Sequence, residues 1–171
     1  MKTLKQILLE TAGELKFSGI LKLNPDTNTL VSLKKLTEDL PPDANPLPEE
    51  TIHVTLVHQN CLKQYRKEVE NMDLNDIPPP KVVITDKIYK IEREKRISWV
   101  SILANQEEMQ AYVDQFMQII GAPPHPEDRV YHITLANSTG NPKDSVGNVK
   151  KSDIVGSNLV SNVLQDSENV V

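Results

Sequence analysis

The chain is nearly without cysteine. Its 171 residues include one, Cys61, which excludes an intramolecular disulfide and a cysteine-built zinc site. Aromatics are scarce too. One Trp, four Tyr and two Phe leave the core to be assembled mostly from Leu, Ile and Val. No stretch reaches the roughly 18–20 consecutive apolar residues of a membrane helix. Near the start, Leu4, Ile7, Leu8 and Leu15 follow helical spacing and are interrupted by Lys5, Gln6 and Glu10. They read as a short amphipathic helix, not as the clean apolar run of a secretory signal. A cytoplasmic protein with no membrane partner is expected, and the sequon Asn137-Ser138-Thr139 reads as chance. An excess of positive charge is also missing. Lys+Arg total 19 against 24 Asp+Glu, a net charge of -5. That argues against a uniformly basic face for long nucleic acid, and leaves room for a small basic pocket.

What is present is one order of elements that occurs twice. Residues 16–23 read as a strand. Asn24 and Pro25 then look like a helix N-cap and first helical position. Leu30, Leu33, Leu36 and Leu40 supply the helix's apolar face. A proline-rich loop, 41–48, leads into a β-branched strand over 51–57. The second copy begins with a strand over 96–104. Asn105 is its N-cap, with Glu108 three residues on. Met109, Tyr112, Val113, Phe116, Met117 and Ile120 form its helical face, and Gly121 is placed to stop it. Prolines over 123–126 lead into a strand over 130–136. Asn24 to His53 is 29 residues and Asn105 to His132 is 27. Two pseudo-repeats, about 14–58 and 96–136, would bring their last strands together at a central cleft. Between them a helix is expected over 59–72, then a strand over 81–91 that turns near 92–95 to pair with the 96–104 strand. Its cations, Lys87, Lys90, Arg93, Lys95 and Arg96, make a locally basic hairpin. The domain is expected to end near 146, followed by a polar tail over 147–171 that is mobile or weakly helical.

Each repeat ends in the same four residues in type: His53-Val54-Thr55-Leu56 and His132-Ile133-Thr134-Leu135. A strand alternates its faces. His53 and Thr55 therefore share one side while Val54 and Leu56 take the other, and the second strand does the same. Such strands suit the wall of a polar cleft with an apolar layer behind it. Two imidazoles match the chemistry of a phosphodiester. One removes a proton from the attacking hydroxyl and the other protonates the leaving oxygen, and both forms are accessible near an unperturbed pKa of about 6.5. The two hydroxyls can donate to the non-bridging phosphate oxygens. No metal or cofactor is implied: the sequence has no His-Glu-x-x-His motif, no Cys cluster and no Asp-rich loop.

On this paired His-x-Thr pattern the chain resembles the 2H phosphoesterases, over about residues 14–146. The resemblance implies an α+β, bilobal fold, two pseudo-symmetric antiparallel sheets flanked by helices around a central cleft, and metal-independent hydrolase chemistry. The segments Phe17-Ser18-Gly19 and 136–147 are similar to the phage anti-CBASS phosphodiesterases, which degrade cyclic oligonucleotide messengers of bacterial defence in the host cytoplasm. Carried over, the resemblance makes His53, Thr55, His132 and Thr134 catalytic. It implies attack on a 3'-5' linkage by the adjacent ribose 2'-hydroxyl through a 2',3'-cyclic phosphate. It also implies base stacking on an aromatic, for which Phe17 and Trp99 are the candidates, with core packing the commoner fate of a lone Trp. Two other functions compete: a 2',3'-cyclic phosphodiesterase acting on RNA ends, which the acidic charge disfavours, and an inactive nucleotide-binding protein of the same fold, against which both complete motifs argue. His58 is expected on the Val54 face in a surface or loop role, His125 in an exposed loop, and Cys61 as an inert thiol.

Overall fold

The computed structural model describes residues 14–124, 128–155 and 158–161. In chain order the elements are strands β1 (Glu14–Phe17) and β2 (Leu21–Asn24), helix α1 (Thr27–Glu38), the two-residue strand β3 (Asn45–Pro46) and strand β4 (Val54–Val57). Short helices α2 (Gln59–Leu62) and α3 (Arg66–Asn71) follow. Strands β5 (Ile84–Arg93) and β6 (Arg96–Leu103), helix α4 (Gln106–Ile120) and strand β7 (His132–Asn137) make the second half. Helix α5 (Lys151–Val155) and strand β8 (Asn158–Ser161) complete the described chain. The expected N-terminal helix and His125 lie outside the described residues.

Each half is a hairpin, a helix and a motif strand: β1-β2-α1-β4 and β5-β6-α4-β7. The strand expected over 16–23 is in fact this first hairpin, folded back at Ser18-Gly19-Ile20. Gly19 sits at φ +91°, where a side chain would be strained. The second hairpin turns on Glu94 and Lys95, both at positive φ. The α1 start also differs from expectation. Asp26, not Asn24, is the N-cap, and its carboxylate accepts from Thr29 N at 2.7 Å, while Asn24 finishes β2. Asn105 does stand at the head of α4, but its amide donates to Lys81 O and Glu108 Oε2 instead of capping. Gly121 ends α4 in the left-handed conformation as expected. The helix expected over 59–72 is broken by a tight turn at Lys63–Tyr65 into α2 and α3.

All strand pairings are antiparallel, and the order is β1-β2-β4-β7-β6-β5-β8, with β3 beside β7. The two expected sheets are therefore one sheet. It narrows at its middle, where β4 and β7 share a single residue pair, Val54 with Ile133. On one face, Leu33 of α1 and Met109, Val113 and Phe116 of α4 bury Val54, Leu56, Ile133 and Leu135. A smaller cluster of Ile91, Val100, Val130, Val146 and Val149 forms separately. That cluster corrects the boundary expected at residue 146. Val149 is buried, α5 follows it, and β8 pairs with β5 as an edge strand. Past residue 146 the described chain thus carries a short helix, as the weakly helical expectation has it, and an edge strand at Asn158–Ser161. Among the described residues no helix is long and apolar enough to cross a membrane.

Candidate active site

The narrow joint between β4 and β7 is also where the histidines meet. His53, Thr55, His132 and Thr134 line one cleft of about 180 Å³. The alternation argument holds in both strands. The two histidines and two threonines are half-buried, while Val54, Leu56, Ile133 and Leu135 are buried beneath them.

Both imidazoles are held the same way. His53 Nδ1 lies 2.7 Å from Thr51 O, and His132 Nδ1 lies 3.0 Å from Val130 O. A carbonyl oxygen only accepts, so each Nδ1 carries the hydrogen and each neutral ring presents an unprotonated Nε2. The carbonyl belongs in each case to the residue two positions earlier. One ring face is thus fixed by backbone in both halves of the molecule. The halves then differ. Thr55 Oγ1 lies 3.0 Å from His53 Nε2 and donates to it. Among the described residues no such bond joins Thr134 to His132.

Burial lowers both histidine pKa values. For His53 the cause after desolvation that acts in the same direction is the charge of Lys22, against the raising effect of the Thr51 carbonyl. His132 is pushed down to about 4, first by desolvation and then, against the Val130 carbonyl, by Arg129, His53 and His58. Near neutral pH both rings are therefore neutral.

The remaining walls were not foreseen. His58, expected on the opposite face, lines the same cleft. The strand ends at Val57, so face alternation no longer governs the next residue, which is the extended N-cap of α2. Leu47 and the loop of Pro142, Ser145, Val146, Gly147 and Asn148 close the other side. Asn137 shapes that loop from a fully buried position. Its amide donates to Asn141 O and Ser145 Oγ, and its carbonyl oxygen accepts from Thr139 N and Gly140 N. Arg96 donates to Lys143 O and Ser145 O, and Ser98 Oγ accepts from Val146 N. Part of the basic hairpin therefore holds the loop in place. Arg93 likewise pairs with Asp153 at 3.2 Å.

The two aromatic candidates are not in the cleft lining. Trp99 is 1% exposed in the main core, with Lys90 Nζ 5.7 Å from its ring centroid. It has no free face to stack a base, so of its two sequence readings the core one describes it. Phe17 packs partly on the core and lines a separate depression with Gly19, Gln59, Asn60, Lys63 and Arg66. Among the described residues, no group of three or more His, Cys, Asp or Glu could hold a metal ion. No family model matches the chain, and no curated protein is detectably similar to it.

Proposed function

We propose that the chain is a phosphodiesterase of the 2H type, with His53 and His132 as its proton-transfer pair and cyclic oligonucleotides with 3'-5' linkages as its substrates. The observation that carries this reading is the repeated device at the β4–β7 joint. Two imidazoles, each tethered at Nδ1 by the carbonyl two residues earlier, turn Nε2 into one cleft beside two threonine hydroxyls. On this reading the two halves of the sheet are the two lobes of the 2H fold.

The chemistry follows from the tethers. One Nε2 accepts the proton of the ribose 2'-hydroxyl as the 2'-oxygen bonds to phosphorus. The P–O5' bond breaks, and the second imidazole, in its protonated form, gives its proton to O5'. The products are a 2',3'-cyclic phosphate and a 5'-hydroxyl. Burial, with the Arg129 charge, pushes His132 down to about 4 and keeps it unprotonated, which gives it the part of the base. His53 takes the part of the acid. A phosphodiester anion against Nε2 raises the proton affinity of both rings and so favours the protonated form that the acid needs. Thr55 donates to His53 Nε2. On binding it turns to a non-bridging phosphate oxygen and frees that nitrogen, and Thr134 donates from the opposite strand.

The cleft is small and closed by the 142–148 loop, and the chain carries a net charge of -5. Both features suit a compact substrate better than a long polymer, whose affinity grows with neutralised phosphates. A phage counter-defence role against bacterial CBASS signalling would give such an enzyme its setting. The test is a panel of cyclic di- and trinucleotides beside an RNA end with a 2',3'-cyclic phosphate, assayed in EDTA with products identified by mass. Cleavage of the cyclic nucleotides to linear 2',3'-cyclic phosphates is expected. Selective turnover of the RNA end would replace the substrate class, and no turnover of any would overturn the enzymatic reading. Substrates with 2'-deoxyribose next to the scissile phosphate should be inert.

A further inference from the structure

Arg129 is 4% exposed, yet it carries a full positive charge at the joint between the halves. Its guanidinium donates through Nη1 to Leu56 O and through Nη2 to Thr55 O, more than seventy residues away in sequence. Its Cζ lies 5.0 Å from the centroid of the Tyr131 ring. These contacts fill a gap in the sheet. The one β4–β7 pair is Val54 with Ile133. Continuing that register would set Thr55 against His132 and Leu56 against Tyr131, and neither pair forms. The Tyr131 backbone is engaged elsewhere: its N–H donates to Gln106 Oε1, and its carbonyl accepts from Gln106 Nε2 and Leu103 N. The strands splay at the point where the cleft opens. Beyond that last pair Arg129 supplies donors to two consecutive β4 carbonyls, at the place where the β2–β4 register also shifts and leaves Leu56 unpaired with β2.

We propose that Arg129 is the positioning residue of the site: its planar fork, clasping the Thr55 and Leu56 carbonyls from the head of β7, sets the separation between the His53–Thr55 and His132–Thr134 pairs. This rests on the phosphodiesterase reading for its catalytic consequence, but not for its geometry. A guanidinium is suited to the task because its donors stand on separate nitrogens fixed in one plane, whereas an ammonium's three donors share one rotating nitrogen and do not hold two carbonyls in a fixed geometry. The same charge also faces His132. The titratable and charged groups around that imidazole are Arg129 just before its strand and His53 and His58 from β4 and its exit. Around Arg129 itself stand Tyr131, Cys61 of α2, and Glu107 and Lys151 at the rim of an adjoining depression.

Two variants separate the clasp from the charge. Arg129→Lys keeps the charge and loses the fork. It is expected to lower kcat on a cyclic dinucleotide by about tenfold or more, with KM and the NMR titration of His132 little changed. Arg129→Met loses both. It is expected to lower kcat further and to move the His132 titration to higher pH, along with the acid limb of kcat/KM, because a cation no longer opposes protonation. Wild-type kcat in Arg129→Lys would overturn the proposal, and if Arg129→Met does not fold, the lysine variant decides alone. A wild-type protein inactive on every substrate would sink the phosphodiesterase reading and leave the clasp to be judged by NMR. There, displaced carbonyl-13C signals at Thr55 and Leu56 in Arg129→Lys support it, and unmoved ones refute it.

Discussion

The two halves of the sheet run the same elements in the same order, and at the cleft they make the same hydrogen bond. Thr51 O does for His53 what Val130 O does for His132. Their surroundings do not match. His132 is driven to about 4, with the Arg129 charge opposing its protonation, whereas His53 accepts from the Thr55 hydroxyl and is opposed by the charge of Lys22. The symmetric part is backbone geometry and fixes where Nε2 points. The asymmetric part is charge and burial and sets which ring takes up a proton more readily. A pair that transfers protons in opposite directions needs both, because identical rings in identical settings give no reason for one to be acid.

The largest expected effect comes from removing a member of the pair. His53→Ala or His132→Ala should lower turnover at least about 10²-fold. The double variant should cost less than the product of the singles, since the two act as one unit. Full activity in either single variant would end the mechanism. A sharper form of the comparison uses the acid itself: a substrate whose leaving oxygen needs no protonation, such as a nitrophenyl ester of a ribonucleoside 3'-phosphate, should rescue His53→Ala and not His132→Ala. Rescue of the other variant would exchange the two roles.

The threonines are expected to matter less, by roughly tenfold or more each, as single donors to developing charge. They should also differ. Thr55→Val removes the bond that stabilises neutral His53, so the His53 titration should move to higher pH. Thr134→Val has no such bond to remove and should leave His132 where it was. Equal shifts in both variants, read by NMR, would show that the halves are more alike than the hydrogen bonds make them.

Stability supplies a third contrast. A histidine whose folded pKa lies below its unfolded value binds fewer protons when folded. Its destabilising effect is absent above about pH 6.5 and complete below the folded value. For His132 the window runs from about 6.5 down to about 4, and stability should fall as pH drops through it, by at most about 3 kcal/mol. His53 adds a smaller loss of the same sign. Urea midpoints between pH 7.5 and 4 check this. His132→Gln should flatten the profile more than His53→Gln does, and an equal response from the two variants would count against the buried setting of His132.

The parts of this molecule that were legible in its sequence are those governed by short periods. Two-residue alternation placed His53 with Thr55 and His132 with Thr134, and helical spacing found the α4 face and its Gly121 stop. Where a period ends, the reading failed. His58 follows the last strand residue, so alternation sent it to the wrong side. The turn at Gly19 was hidden inside a run of strand formers that carries on through Ile20 to Leu23. Arg129 could not be foreseen, because its partners are two carbonyls, which carry no side-chain identity and lie in a distant part of the chain. That buried packing continues past residue 146 is not legible in the polar composition of the tail. Its few apolar residues, Val149 among them, are enough to close a small cluster once Val100 and Val130 are near.

The two hairpins offer the smallest and cleanest test of how far the halves correspond. Both fold a strand pair back on itself, and both need residues at positive φ. The first uses Gly19 at +91°, with nothing within 4 Å of where a Cβ would stand. The second uses Glu94 at 52° and Lys95 at 66°. Two-residue turns of this kind favour Asn-Gly, because left-handed backbone costs most side chains about 1 kcal/mol. The molecule therefore stores mild strain in one hairpin and none of that origin in the other. Gly19→Ala should destabilise by about 1 kcal/mol through conformation alone, since space is not the obstacle. Replacing Glu94-Lys95 by Asn-Gly should stabilise by a similar or smaller amount, offset in part by the freedom glycine adds to the unfolded chain. The turn lies outside the cleft lining, so kcat and KM should not move. A stabilised variant with altered kcat would mean that the strain at this turn reaches the 142–148 wall through Arg96, whose guanidinium holds the Lys143 and Ser145 carbonyls one residue beyond the turn.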